Sequence, residues 1–189
     1  MSGLNRIDDP SVAPESQLDL RPGALVVYGS YGLGRISPAR PGDDREQGAE
    51  RVVLEFPGGL SVSLPRDRAV SCLRSISGQQ ALACVRDVLR HRDVAVERSW
   101  QVRTKSSRAK LAAGEAVGLA EVVRDTVEVG RGSSSGRVPS YERDLYLKAR
   151  RLLAAEVGAA MDTDEAEADA WIEGQLEASA GARDEHAAQ

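Results

Sequence analysis

Apolar residues alternate along one part of this chain and recur at helical spacing along another. Residues 1–18 are polar, carry Pro10 and Pro14, and are expected to be disordered. From Leu20 short β-type runs begin, with ALVVY at 24–28 and RVVLEF at 51–56. LSVSL at 60–64 alternates apolar and polar as a half-buried strand does. PGG at 57–59 joins these last two runs as a hairpin, and GSYGLG at 29–34 reads as a tight turn. PARPGDDREQGAE at 38–50 is a charged loop, and 69–73 is expected to supply a last strand. Strands this short and this close together predict a small β-barrel of the SH3 or Tudor kind over 19–76.

Beyond Gly78 the period becomes helical. QQALACVRDVLRH at 79–91 puts Leu82, Val85 and Leu89 on one face. A second helix is expected to start near Ser99 and run to Ala113, with Gly114 as its C-cap. In 114–129, Val117, Ala120, Val123 and Val127 fall in line. GRGSSSGRVP at 130–139 has the composition of a flexible linker. Ser140 is expected to cap a long helix whose apolar face runs through Leu145, Ala149, Leu152 and Leu153. Asp162 or Thr163 would cap a last helix, and 180–189 is a polar tail. The predicted fold class is therefore α+β and multidomain, a small barrel followed by an all-helical domain over 77–179.

Composition narrows the function classes. Aromatic content is 4%, so the core must be built from Val, Leu and Ala. Cys72 and Cys84 have neither CxxC spacing nor a neighbouring histidine, so they indicate no zinc site or disulfide framework and read as buried thiols. The start of the chain lacks the pattern of a signal peptide, and no window is apolar enough to span a membrane. A cytoplasmic location is expected, with no cofactor and no metal. Catalysis is not indicated either. GSYGLG matches no phosphate-binding glycine motif, and His91 and His186 stand apart from any Ser–Asp–His grouping.

Charge is what singles out a site. The chain carries a net −4, yet 86–110 holds a local +5 and 156–189 a local −9. At the heart of the basic part is RSWQVRTKSSRAK, in which Arg98, Arg103, Lys105, Arg108 and Lys110 surround Trp100 without an acid among them. Cations that displace phosphate counterions, beside one large flat ring, meet the requirements of a DNA contact. Helical neighbours of Trp100 are mostly polar or basic, whereas Trp171 has Ala168, Ile172 and Leu176 beside it. Trp100 is thus expected at the surface and Trp171 against the core.

These stretches also carry a resemblance. PGALVVYGSYGLGRI, the hairpin RVVLEF…LSVSLP, SWQVRTKSSRAKLAAGEAVGLAEVVRDT and YERDLYLKARRLL follow the order seen in the CarD/CdnL family of bacterial transcription factors, over about 20–178. The barrel of that family is shared with the polymerase-interacting module of transcription-repair coupling factors. The resemblance implies a nucleoid-associated monomer without chemistry of its own: the barrel binds the β-subunit lobe of RNA polymerase, and the helical domain contacts promoter DNA. Trp100 matches the tryptophan that wedges into the minor groove at the upstream edge of the melted bubble, and Arg103 and Lys105 match basic positions on the backbone. Polymerase-facing positions fall on Arg40, Arg45, Arg51, Val53, Glu55, Ser61, Ser63 and Pro65. Ser63, Gly42 and Val102 replace basic residues common in the family, and the 130–139 linker is longer than usual. The rival expectation is a protein-interaction adaptor that adds a partner's strand to the barrel edge without wedging DNA.

Overall fold

In a computed structural model the chain is described over residues 18–38, 50–91, 95–133 and 136–184. Five strands form one antiparallel sheet: β1 (Leu25–Tyr28), β2 (Gly32–Ser37), β3 (Arg51–Glu55), β4 (Ser61–Pro65) and β5 (Arg74–Ser75), in the order β4-β3-β2-β1-β5. Six helices accompany them: α1 (Arg66–Cys72), α2 (Gln79–Arg90), α3 (Trp100–Ala113), α4 (Ala116–Gly132), α5 (Ser140–Met161) and α6 (Glu165–Asp184). The α+β class with a small β domain ahead of a helical region is thus observed.

Alternation builds the β domain. Val26, Ile36, Val52, Leu54, Phe56 and Leu64 point to one side of the sheet and form its core with Ala69 and Leu73. The expected last strand at 69–73 is instead the end of α1. Ala69 and Leu73 are four apart and both buried, so the short apolar run has a helical period. The strand that closes the sheet is β5, which pairs with β1 through Val26 opposite Ser75 and Val27 opposite Arg74.

Helix ends follow local chemistry, with some shifts. Gly114 terminates α3 in the left-handed region at φ 68°, as its position predicts. Ser140 is the first residue of α5 rather than its cap; Pro139 precedes it and no side chain caps the helix. Neither Asp162 nor Thr163 caps α6: Asp162 ends α5 at φ 57°, and the Asp164 carboxylate accepts the Glu167 N–H at 2.8 Å. α4 continues through Gly132, into the run expected as linker, and Gly130 lies close beneath Val138. Residues 134 and 135 of that run, like 1–17, lie outside the described residues.

The helical core joins α2, α4, α5 and α6 around Val85, Leu89, Leu119, Val123, Leu153 and Ile172, and Trp171 packs against it. Arg150 ties α5 to α6 through Asp169 (2.6 Å) and Glu173 (2.6 Å). Its pKa is raised above the ordinary value by the Asp169 hydrogen bonds first, against the effect of burial, with Tyr146 and Glu173 adding to them. Cys84 sits exposed on α2 and Cys72 is half-buried, so the expectation of two buried thiols fails for Cys84. No described helix is long and apolar enough to cross a membrane.

The β domain meets the helical region at glycines. Gly29, in the 3-10 turn Gly29–Tyr31, faces the start of the α3–α4 connection, where a Cβ on Gly114 would run into the Gly29 carbonyl. A Cβ on Gly32 would come within 2.5 Å of Leu152 Cδ2 on α5. Gly29 and Gly32 of GSYGLG therefore serve close approach between the two parts, whereas Gly34 lies within β2 and makes room for Phe56 inside the β domain. Gly114→Ala should cost about 3 kcal/mol, combining left-handed strain with the clash. Gly58→Ala, at φ 87° with open space around it, should cost only about 1 kcal/mol. Urea unfolding of both variants checks this; equal losses would mean the interdomain contact gives way freely.

The candidate nucleic-acid interface

α3 starts where the chain turns out of an extended stretch at Ser99, and Trp100 is its first residue. With 58% of its surface exposed, Trp100 is no core residue. Helical spacing brings Gln101, Thr104, Lys105 and Arg108 onto the face that it starts, and Tyr141 from the first turn of α5 stands opposite. Arg108 donates a hydrogen bond from Nε to the Tyr141 hydroxyl, and its guanidinium carbon lies 4.9 Å from the ring centroid. Tyr141 was not legible as a site residue, because only the packing of α5 beside α3 brings it there.

The five cations of the segment divide into two kinds. Lys105, Arg108 and Arg98 are exposed, and Lys105 makes no ion pair among the described residues. Lys110 is drawn inward to Glu121 at 2.9 Å, with Asp125 at 3.9 Å. Arg103 is more deeply committed. Its Nη2 lies 2.8 Å from Oε1 of Glu142, and its Nη1 donates to the carbonyls of Glu97 (2.7 Å) and Arg98 (3.0 Å). Both side chains of this pair are largely buried. Arg103 therefore fastens the segment that leads into Trp100 to the base of α5, and most of its donors are engaged within the protein before any phosphate arrives.

On the β domain, Arg51, Val53, Glu55, Ser61, Ser63 and Pro65 share the outer face of the β3–β4 hairpin, opposite the core. The pairs Arg51–Pro65, Val53–Ser63 and Glu55–Ser61 stand directly across from one another. Phe56 N–H donates to Leu60 and Arg66 N–H to Glu50, each at 2.8 Å, which fixes the alternation of the ladder. By that alternation the backbone groups of Ser61 and Ser63 point away from β3, along the free edge of the sheet. Arg51 reaches across to Ser63, its Nε 2.8 Å from Oγ and its Nη2 3.1 Å from the carbonyl oxygen. Arg40 and Arg45 lie outside the described residues.

One cluster joins the two regions and was not foreseen. Glu156, only 2% exposed, takes Arg74 Nη1 at 2.5 Å and Nη2 at 2.7 Å on its two oxygens. Ser77 adds its N–H at 3.1 Å and its hydroxyl at 2.7 Å. Arg74 also donates to the Gly114 carbonyl and lies 3.7 Å from Glu115. Burial alone would lower the Arg74 pKa, but the Glu156 hydrogen bonds and charge, with Glu115, hold it above its ordinary value.

Residues 84–173 match the family model described as CarD, C-terminal domain. The matched span contains Trp100, the basic face of α3 and Tyr141, and ends within α6. The match supports the CarD/CdnL family, a family of transcription regulators rather than of enzymes.

Proposed function

We propose that the chain is a CarD-like regulator that connects RNA polymerase to promoter DNA and prolongs the life of the open complex. Trp100 is the wedge at the upstream edge of the melted bubble, entering from the minor groove. Lys105 and Arg108, with Arg98, hold phosphates on either side without reading sequence. The outer face and free edge of the β3–β4 hairpin take the β-subunit lobe of the polymerase. The observation that carries this reading is a tryptophan left 58% exposed at a helix start, beside exposed cations, inside the span that matches the CarD domain. A ring so exposed contributes little to the core, and filling the space where bases would restack obstructs closure of the bubble. The protein then shifts a population between closed and open complexes and performs no bond chemistry.

Open-complex lifetime on a promoter whose bubble collapses readily tests the proposal, with purified bacterial RNA polymerase and the full chain. Wild-type protein should lengthen the lifetime. Trp100→Ala should remove roughly tenfold of it, equivalent to about 1.4 kcal/mol of the few kcal/mol that unstacking a base step costs. Because the ring is mostly exposed, the variant should melt with the wild type. Identical lifetimes for the two proteins would sink the wedge and favour the adaptor.

A further inference from the structure

The groove beside Trp100 has features that a wedge alone does not need. It is lined by two rings, Trp100 of α3 and Tyr141 of α5, together with Gln101, Thr104, Lys105 and Arg108. Most of its lining is apolar, and the two cations that border it, Lys105 and Arg108, are exposed. Thr104, one of the lining residues and only 8% exposed, has a buried hydroxyl with no hydrogen-bond partner among the described residues. Buried hydroxyls are rarely left so unless something else completes them. Arg108, stacked on Tyr141 and bonded to its hydroxyl, keeps that second ring in place.

We propose that this groove receives one unpaired base of DNA, a reading that rests on Trp100 being a DNA contact. Two rings offer the stacking surface that any base accepts, and the Thr104 hydroxyl offers a hydrogen bond to the base edge. Lys105 and Arg108 match the phosphates on either side of the nucleotide, which is the charge complementarity that selects a nucleic acid over an apolar peptide. A paired base cannot enter, since both its faces are stacked and its edge is occupied.

The test compares the full chain on a short duplex and on the same duplex carrying one extra unpaired nucleotide. Fluorescence anisotropy gives affinities at low salt, and tryptophan emission reports the groove against a constant Trp171 background. Wild-type protein should bind the bulged DNA about tenfold more tightly than the plain duplex. Tyr141→Ala should bring that ratio close to one, and Tyr141→Phe, which keeps the ring, should restore it. Thr104→Val should reduce the ratio severalfold without lowering the melting temperature, since it removes an unpartnered hydroxyl. Equal affinities for the two DNAs would overturn the proposal and give the groove to a protein side chain. A ratio that survives Tyr141→Ala would overturn it too, leaving Tyr141 as a support for Arg108. If Trp100→Ala shortens open complexes while the ratio is one, only the groove falls. If the wild-type chain binds neither DNA, the wedge reading falls with it.

Discussion

Glu156→Ala is expected to destabilise the full chain by about 3 kcal/mol, because it strips the largely buried Arg74 guanidinium of its two-point carboxylate partner and leaves only the more exposed Glu115 at 3.7 Å. For a chain of this size that corresponds to a fall in Tm of roughly 6–12 °C. The loss is kept to the lower end of the range for broken buried pairs because Arg74 retains the Gly114 and Ser75 carbonyls as acceptors. Ser77 loses both of its contacts to the carboxylate at the same time. A double-mutant cycle with Arg74→Met separates the pair from its surroundings. Removing both charges should cost less than the sum of the single changes, since neither ion is then stranded. A melting temperature within a degree or two of wild type for Glu156→Ala would show that the cluster is ornamental.

Arg103→Glu is expected to cost a similar amount, about 3 kcal/mol, for a different reason. It sets a second carboxylate against Glu142, whose Oε2 is already buried without a partner among the described residues, and releases the carbonyls of Glu97 and Arg98. Reversing the other partner as well, Arg103→Glu with Glu142→Arg, should recover part of the stability but not the contacts to the backbone. Milder changes distinguish a positioning residue from a phosphate contact. Arg103→Gln should leave the salt dependence of DNA binding unchanged while shortening open complexes, because Trp100 is less firmly placed. Lys105→Gln should flatten the log–log salt slope by about 0.9, the contribution of one phosphate. A comparable flattening with Arg103→Gln would return that residue to the phosphate contacts.

That contrast shows where sequence reading stops. Helix α3, its start after Ser99 and its stop at Gly114 were legible because each depends on a few neighbouring residues. The polar surroundings of Trp100 and the apolar ones of Trp171 announced their different exposures in the same way. Arg103 and Lys105 look alike in the sequence, and only the structure separates them, since Glu142 lies 39 residues from Arg103 along the chain. Arg74 and Glu156 are 82 apart, and nothing local marks either as a partner of the other. Tyr141 joined the site for the same reason. The run 69–73 failed differently: too short to show its period, it fits a strand or a helical turn equally well. GSYGLG was read for its turn, but the near contact that needs its glycines comes from α3 and α5.

The glycine contact and the Arg74–Glu156 cluster together leave the two parts of the molecule little freedom to swing. For a chain proposed to hold two partners at once, this changes the arithmetic of avidity. A flexible tether spreads its second module over a large volume and tolerates many spacings at modest effective concentration. A stiff joint concentrates the second module at one place, so gain is high where the partners match and close to nothing where they do not. Spacing between the polymerase contact and the edge of the bubble would then be a requirement set by the protein, and promoters would be sorted by geometry even though no base is read.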